Sequence, residues 1–211
     1  MEPRDVSTAL LEGTQRLRSA ASPTARLDVE VLIAHATGRD RAWVLAHPEA
    51  TLEADVVTDL ESALERRAAG EPIAYIRGFK DWHSLRIRTD RRALIPRPET
   101  ELLADATIAE IAGRLARDDA PVVAWEVATG SGAVAVAIAL HHGSALEDGR
   151  VTLIASDASL EALELAARTW PRTASRVASR RHSPTCSGRP AACSRGRTSS
   201  WPTFPTSRPP R

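Results

Sequence analysis

The run Glu126-Val127-Ala128-Thr129-Gly130-Ser131-Gly132 puts an acid, two hydroxyls and two glycines within seven residues, and a second acid, Asp157, follows after one intervening helix-length segment. Glycines in a loop that opens a helix let backbone N–H groups approach a ligand closely. An acid at the end of the next strand can accept hydrogen bonds from both hydroxyls of a ribose. The chemistry these residues could do is recognition of a nucleoside-bearing small molecule. The glycine spacing is not that of the dinucleotide fingerprint, because Ala128 and Val134 stand where that pattern needs other residues. It is not a phosphate-binding loop either, since no Gly-Lys-Ser/Thr follows. An acid with Gly-x-Gly four residues later is closer to an S-adenosylmethionine loop; the bland alternative is a glycine turn in some other α/β protein.

The elements that must position these residues are legible around them. Pro121 to Val127 reads as a buried strand, Ala133 to Leu140 as a helix apolar on all sides, Arg150 to Ala155 as a second strand ending at Asp157, and Ser159 as the cap of a further helix. Strand, glycine loop, helix, strand, acid, helix is the opening half of a doubly wound domain. Upstream, Leu85, Ile87 and Thr89 alternate with Arg86, Arg88 and Asp90 as in a half-exposed strand, and Gly78 to Asp81 is the turn expected before it. Pro96 and Pro98 fix a rigid extended segment, and a helix is expected from about Glu99 to Ala116 with Leu103, Ala106, Ile111 and Leu115 apolar. The first 70 residues read as four short helices. Val6, Leu10 and Leu17 mark the first. Ser22-Pro23 opens the second, with Leu27, Val31 and Ala34 inward. Asp40 caps the third, and Val56, Leu60, Ala63 and Leu64 mark the fourth, with Gly70 just past its end.

Composition bounds the rest. The chain has 211 residues, 43% hydrophobic and 26% charged, which suits one or two globular domains. The longest apolar run is too short to span a bilayer, and the first residues lack a basic stretch followed by an apolar one, so a cytoplasmic protein is expected. The net charge of +1 is split: residues 171–211 hold nine Arg, seven Pro, eight Ser and no acid, giving +9, and residues 1–170 carry −8. Such a tail has too little apolar surface to offset the entropy of ordering it, so disorder is expected there.

Three segments read together carry a resemblance. Gly70-Glu71-Pro72-Ile73-Ala74-Tyr75-Ile76-Arg77-Gly78, then Leu94-Ile95-Pro96-Arg97-Pro98-Glu99-Thr100-Glu101, then the loop at Glu126–Gly132 resemble the release factor glutamine methyltransferase (HemK) family in type, order and spacing, over roughly residues 5–170. The resemblance implies an N-terminal helical bundle that engages the protein substrate (1–75), a β-hairpin linker (76–97), and the first half (98–170) of a class I S-adenosylmethionine-dependent methyltransferase domain, an incomplete Rossmann-like α/β fold. The tail (171–211) follows it. It implies methyl transfer to the glutamine side-chain amide in the Gly-Gly-Gln motif of peptide chain release factors. The cofactor would lie against Ala128, Thr129, Gly130, Ser131 and Gly132, with Asp157 as the ribose-binding acid and Glu126 as the acid that opens the loop.

Two departures matter. The family usually has Gly where Ala128 stands, and a Cβ costs about 1–2 kcal/mol if that position needs φ > 0. The family's Asn-Pro-Pro-Tyr motif, whose Asn and a backbone carbonyl accept the amide hydrogens, is missing: the chain contains no Asn, and its one tyrosine is Tyr75. No catalytic residue is therefore assigned, and the chain as written is expected to be inactive, its parallel sheet stopping after two recognisable strands. Two other functions stay open: a non-catalytic remnant that binds a release factor, and a nucleic-acid amino-methyltransferase. The acidic body argues against the latter.

The remaining candidates have plain readings. His141-His142 point in different directions on a helix and make a poor zinc site. Cys186 and Cys193 are incidental thiols, Glu99 and Glu101 are first-turn helix acids, and Trp43, Trp82 and Trp125 are core or interface residues. The basic tail is either a polyanion-binding segment or a stretch translated out of frame. For the second, Thr198–Ser207 can be back-translated, with third bases freely chosen, so that dropping two nucleotides yields Val-Val-Leu-Ala-Asn-Leu-Pro-Tyr-Val, a strand followed by a variant of the missing motif.

Overall fold

The computed structural model describes residues 4–117, 120–169 and the strand 177–181. It divides into two compact units, 1–78 and 79–211. Of the tail expected to be disordered, 171–211, only 177–181 are described, as a strand; the rest of it, with its two cysteines, lies outside the described residues.

In the first unit a two-residue strand, β1 (Arg4–Asp5), leads into α1 (Val6–Ser19), followed by α2 (Ala25–Thr37), α3 (Arg41–Ala46), β2 (Thr51–Leu52), α4 (Ala54–Ala68) and α5 (Ile73–Arg77). β1 and β2 pair antiparallel. Asp5 caps α1 by accepting from Thr8 N at 2.6 Å, and Asp40 caps α3 by accepting from Trp43 N at 2.7 Å. The helices are too short to persist alone and are held by one shared core of Val6, Leu17, Val29, Leu32, Ile33, Val57, Leu60 and Leu64. Gly13 allows α1 to lie close on α2, because a Cβ there would sit 2.9 Å from Val29 Cγ1. Two expectations for α2 are corrected. Its cap position is Thr24 rather than Ser22, whose hydroxyl instead donates to Asp28 Oδ2 at 2.8 Å. Its buried face is Ala25, Val29, Leu32 and Ile33, while Leu27 is exposed. The buried Asp28 explains the rotation: it takes an ion pair from Arg67 of α4 at 2.7 Å, and that pairing turns the polar residue inward.

The second unit opens with a hairpin, β3 (Phe79–Trp82) paired antiparallel with β4 (Leu85–Arg88). The turn expected over Gly78–Asp81 is instead at His83 and Ser84, both with positive φ (50° and 57°), as a two-residue hairpin turn requires. Trp82 Nε1 donates to Arg97 O at 2.8 Å, and Glu101 Oε1 accepts from His83 N at 3.1 Å, so the turn is tied to the extended proline segment and to the helix after it. That helix, α6 (Thr100–Arg117), buries Ala104, Ile108 and Ile111. Of the apolar positions noted in the sequence, Ile111 is buried, while Leu103 and Ala106 are exposed.

A parallel sheet follows in the order β5 (Val122–Val127), β6 (Val151–Asp157), β7 (Val177–Arg181). α7 (Ala133–His141) and the short α8 (Gly143–Glu147) lie between β5 and β6, and α9 (Leu160–Thr169) follows β6. β7 corrects the expectation of two strands: it pairs with β6 from Leu153↔Val177 to Asp157↔Arg181. Val177 is one of the few large apolar residues of the tail, and five residues suffice to continue a ladder whose hydrogen bonds come from the backbone. Residues 133–139 of α7 are all buried, with Ile108, Ile111, Leu146, Val151 and Leu153 among their neighbours in the core. The sheet is thus covered on the face that meets these helices.

Candidate functional site

The loop sits at the C-terminal ends of β5 and β6, where ligands of open α/β sheets bind. Adjacent parallel strands in register, Glu126↔Ala155 and Val127↔Ser156, bring the acid that ends each strand to the same edge. Thr129 N donates to Ser156 O at 2.9 Å, fastening the loop to β6. The chain then enters α7 through three residues in the left-handed region: Ala128 (φ 60°), Gly130 (φ 55°) and Gly132 (φ 80°). The condition stated for Ala128 is therefore met. The first residue of the loop adopts the backbone that favours glycine, and the alanine Cβ costs about 1–2 kcal/mol there. Gly132 is irreplaceable for a further reason, since a Cβ would lie 3.0 Å from Ala166 Cβ and 3.3 Å from Ala166 Cα of α9. At Gly130 the nearest atom to such a Cβ is Ala93 Cβ at 4.0 Å. The absence of a side chain there leaves open space over the loop.

The two acids clamp this loop from opposite sides. Glu126 Oε2 accepts from Thr129 Oγ1 at 2.7 Å and from Ala135 N in the first turn of α7 at 3.1 Å. Burial pushes the Glu126 carboxyl up to about 7; these two hydrogen bonds oppose the shift, and the nearby Asp157 charge adds to it. Asp157 Oδ2 accepts from Gly130 N at 2.9 Å and Oδ1 from Ser159 N at 2.9 Å. A carboxylate has about four acceptor positions, so Asp157 keeps capacity for two hydroxyl donors while holding the loop. The residues present thus fit the ribose end of the expected cofactor: an acid with spare lone pairs stands beside a glycine whose missing Cβ opens the approach.

All seven candidate residues, Glu126, Ala128, Thr129, Gly130, Ser131, Gly132 and Asp157, meet in this one place. Thr129 and Ser131 are buried rather than presented, and Thr129 spends its hydroxyl on Glu126. Residues that spacing did not reveal complete the frame. Ser156 Oγ accepts from Trp125 Nε1 at 3.0 Å and donates to Glu126 O at 3.2 Å. Ala93 packs with Ala162 and Leu165 of α9. Next to Ala93, Arg92 Nη2 pairs with Asp90 Oδ2 at 2.6 Å, holding the Asp90 carboxyl below its ordinary range. Neither carries a signal in sequence: Ser156 is buried beside the buried Ala155, against the alternation of β6, and Ala93 is one small residue in an irregular segment.

The plain candidates resolve as follows. His142 is buried, with Nε2 3.0 Å from Ile108 O, and burial lowers its pKa. Glu101 serves the hairpin turn, and Glu99 is exposed. Among the described residues no three His, Cys, Asp or Glu side chains converge as a metal site, and no helix is long and apolar enough to cross a membrane.

Comparison with known proteins bears on the family of the chain. Residues 8–78 match the family model described as the PrmC N-terminal domain. A release factor glutamine methyltransferase of Rhodopirellula baltica is 38% identical over 153 residues, covering 72% of this chain and 49% of that protein. One of Vibrio cholerae is 37% identical over 172 residues (80% and 55%), and one of Escherichia coli 35% over 159 residues (75% and 52%). The chain spans about half the length of the curated relatives it matches. The resemblance to release factor glutamine methyltransferases is borne out by these relatives, and the parallel sheet of the second unit is consistent with a partial class I methyltransferase fold.

Proposed function

We propose that the chain derives from enzymes that transfer a methyl group from S-adenosylmethionine to the glutamine side-chain amide in the Gly-Gly-Gln motif of release factors, and that as written it does not perform the transfer. The observation that carries the lineage is the loop clamped between Glu126 and Asp157 at the ends of β5 and β6, in a chain 35–38% identical to proteins named for that activity. S-adenosylmethionine, when bound, supplies a methyl group on a sulfonium. Asp157 would accept from the ribose hydroxyls, Gly130 would admit the nucleoside without a Cβ in the way, and Glu126 would hold the loop in shape through Thr129 and Ala135.

The inactivity rests on chemistry that the chain lacks. An amide nitrogen is a weak nucleophile because its lone pair is delocalised into the carbonyl. Holding it in line with the methyl group supplies most of the rate. The chain contains no Asn to accept the amide hydrogens, and its single tyrosine, Tyr75, belongs to α5 of the first unit. Mass spectrometry of a release factor incubated with S-adenosylmethionine tests both halves. The Escherichia coli relative is expected to add one methyl group to the Gly-Gly-Gln glutamine, and this chain none at equimolar concentration. Methylation of nucleic acid in place of the release factor by the relative sinks the substrate; a methylated release factor from this chain sinks the inactivity.

A second reading is favoured by the first unit. Its core is closed, and it matches the PrmC N-terminal domain along residues 8–78. The chain would then bind a release factor without modifying it. Retention of a release factor by the immobilised full chain supports this reading; retention no greater than that of an unrelated protein removes it.

A further inference from the structure

The segment Asp90-Arg91-Arg92-Ala93, between the hairpin and the proline run, belongs to no helix or strand, yet it borders the candidate site. Ala93 Cβ is the nearest atom to the point that a Cβ on Gly130 would occupy, at 4.0 Å. Gly130 is the residue whose N–H Asp157 holds. Ala93 also packs with Ala162 and Leu165 of α9, the helix whose Ala166 abuts Gly132. Small side chains at 93, 162 and 166 thus let segment, helix and loop meet closely. A ligand that reaches the backbone of Gly130 lies beside Ala93.

A segment outside any ladder needs other bonds to fix it, and Arg92 supplies them in two directions. Arg92 N donates to Asp90 Oδ1 at 3.0 Å, Nε to Oδ1 at 3.0 Å and Nη2 to Oδ2 at 2.6 Å, while Ala93 N donates to Asp90 O at 3.3 Å. Guanidinium and carboxylate meet as a fork on a fork, which fixes direction as well as distance. Two positions apart, they close a tight turn that ends at Ala93. On the far side, Arg92 Nη1 lies 3.9 Å from Glu164 Oε2 of α9. We propose that Arg92 is a positioning residue for nucleoside binding: its bracket on Asp90 and its reach to Glu164 hold Ala93 as a wall of the approach to Gly130 and Asp157. This role rests on the reading that the loop takes the nucleoside of S-adenosylmethionine. It is independent of whether the chain transfers a methyl group.

Two measurements on the full chain test it, with S-adenosylhomocysteine, which keeps the nucleoside and lacks the transferable methyl group, as the probe. Its dissociation constant in equilibrium dialysis is expected to rise at least tenfold in Arg92→Gln. Arg92→Lys is expected to stay weak, because an ammonium cannot make the paired bonds to Asp90. Recovery by lysine would mean that charge alone acts, and an affinity unmoved by either substitution would reduce Arg92 to a stabilising contact; both results overturn the proposal. The second measurement introduces a reporter thiol by Ala93→Cys in a chain carrying Cys186→Ser and Cys193→Ser. Saturating probe is expected to slow alkylation of that thiol. Without probe, Arg92→Gln is expected to speed it at least tenfold while circular dichroism stays unchanged. The affinities are measured without the reporter, so they stand even if the added sulfur disturbs packing. Bound probe that leaves the thiol unprotected removes Ala93 from the wall and overturns the proposal with the ligand class intact. No binding of the probe, by the chain or by Ala128→Gly, overturns the nucleoside reading and this role with it.

Discussion

Ala128 holds a backbone conformation that favours glycine, with a measurable physical consequence. Its φ of 60° is forced from both sides, by the Thr129 N–Ser156 O bond after it and by β5 before it. Replacing Ala128 by Gly removes the Cβ strain of about 1–2 kcal/mol and gives back part of it through the greater freedom of glycine in the unfolded chain. A net gain of about 1 kcal/mol is expected, read as a higher urea midpoint with unchanged slope; an unchanged or lower midpoint means that the loop is not held at this angle. Glu126 makes a second prediction. Its folded pKa of about 7 lies above the ordinary 4.5, so the folded state holds a proton that the unfolded state has lost. The associated stability is complete below about pH 4.5 and is lost as pH rises through about 7. Glu126→Gln keeps an oxygen for Thr129 and Ala135 and cannot ionise. The variant should therefore be the more stable protein above pH 7, and the difference should shrink towards pH 5. A difference that is the same at both pH values would show that Glu126 ionises normally. His142 contributes the opposite slope: its lowered pKa gives stability that is present above about 6.5 and lost as pH falls.

At the scale of elements, the sharpest test is the ion pair that sets the face of α2. Asp28 is 6% exposed and accepts from Arg67 Nε at 2.7 Å and from both Ser22 and Thr24. Asp28→Ala leaves the Arg67 guanidinium largely buried without its carboxylate, and a loss of about 3 kcal/mol is expected in a denaturant titration. A loss below 1 kcal/mol would place the pair effectively at the surface. The same residue shows where sequence stops being legible. Strands β5 and β6, the loop, α7 and the acid at Asp157 were readable because one repeating pattern, strand then glycine then apolar helix, fixes them locally. The rotation of α2 was not, because apolar periodicity assigns an acid to the outside, and only a partner 39 residues away turns Asp28 in. The hairpin turn was misplaced for a similar reason. Gly78 is a stronger turn residue than His83 or Ser84, but Gly78 ends α5, and the bonds from Trp82 to Arg97 and from His83 to Glu101 fix the reversal five residues later. β7 was missed because pairing onto an existing edge asks little of side chains. In the site, the acids and glycines were visible as types at a spacing. Ser156 and Ala93 were not, because their roles follow from which atoms the fold brings near the loop.

Across the whole molecule, the two units differ in how completely each buries its own apolar surface. The first closes Val6, Leu17, Val29, Leu32, Ile33, Val57 and Leu64 to 2% exposure or less. The second covers one face of β5 with helices and leaves Val123 and Val127 in water. Apolar area left exposed contributes nothing to folding, at roughly 25 cal/mol for each Å², and an edge strand opens more readily than one paired on both sides. The units should therefore lose structure at different denaturant concentrations, so that a single free energy does not describe the chain. In hydrogen exchange followed by mass spectrometry along a urea series, peptides from β5 and β6 are expected to lose protection first, while peptides from α1, α2 and α4 stay protected. Loss of both sets at one midpoint would mean that the second unit is as complete energetically as the first.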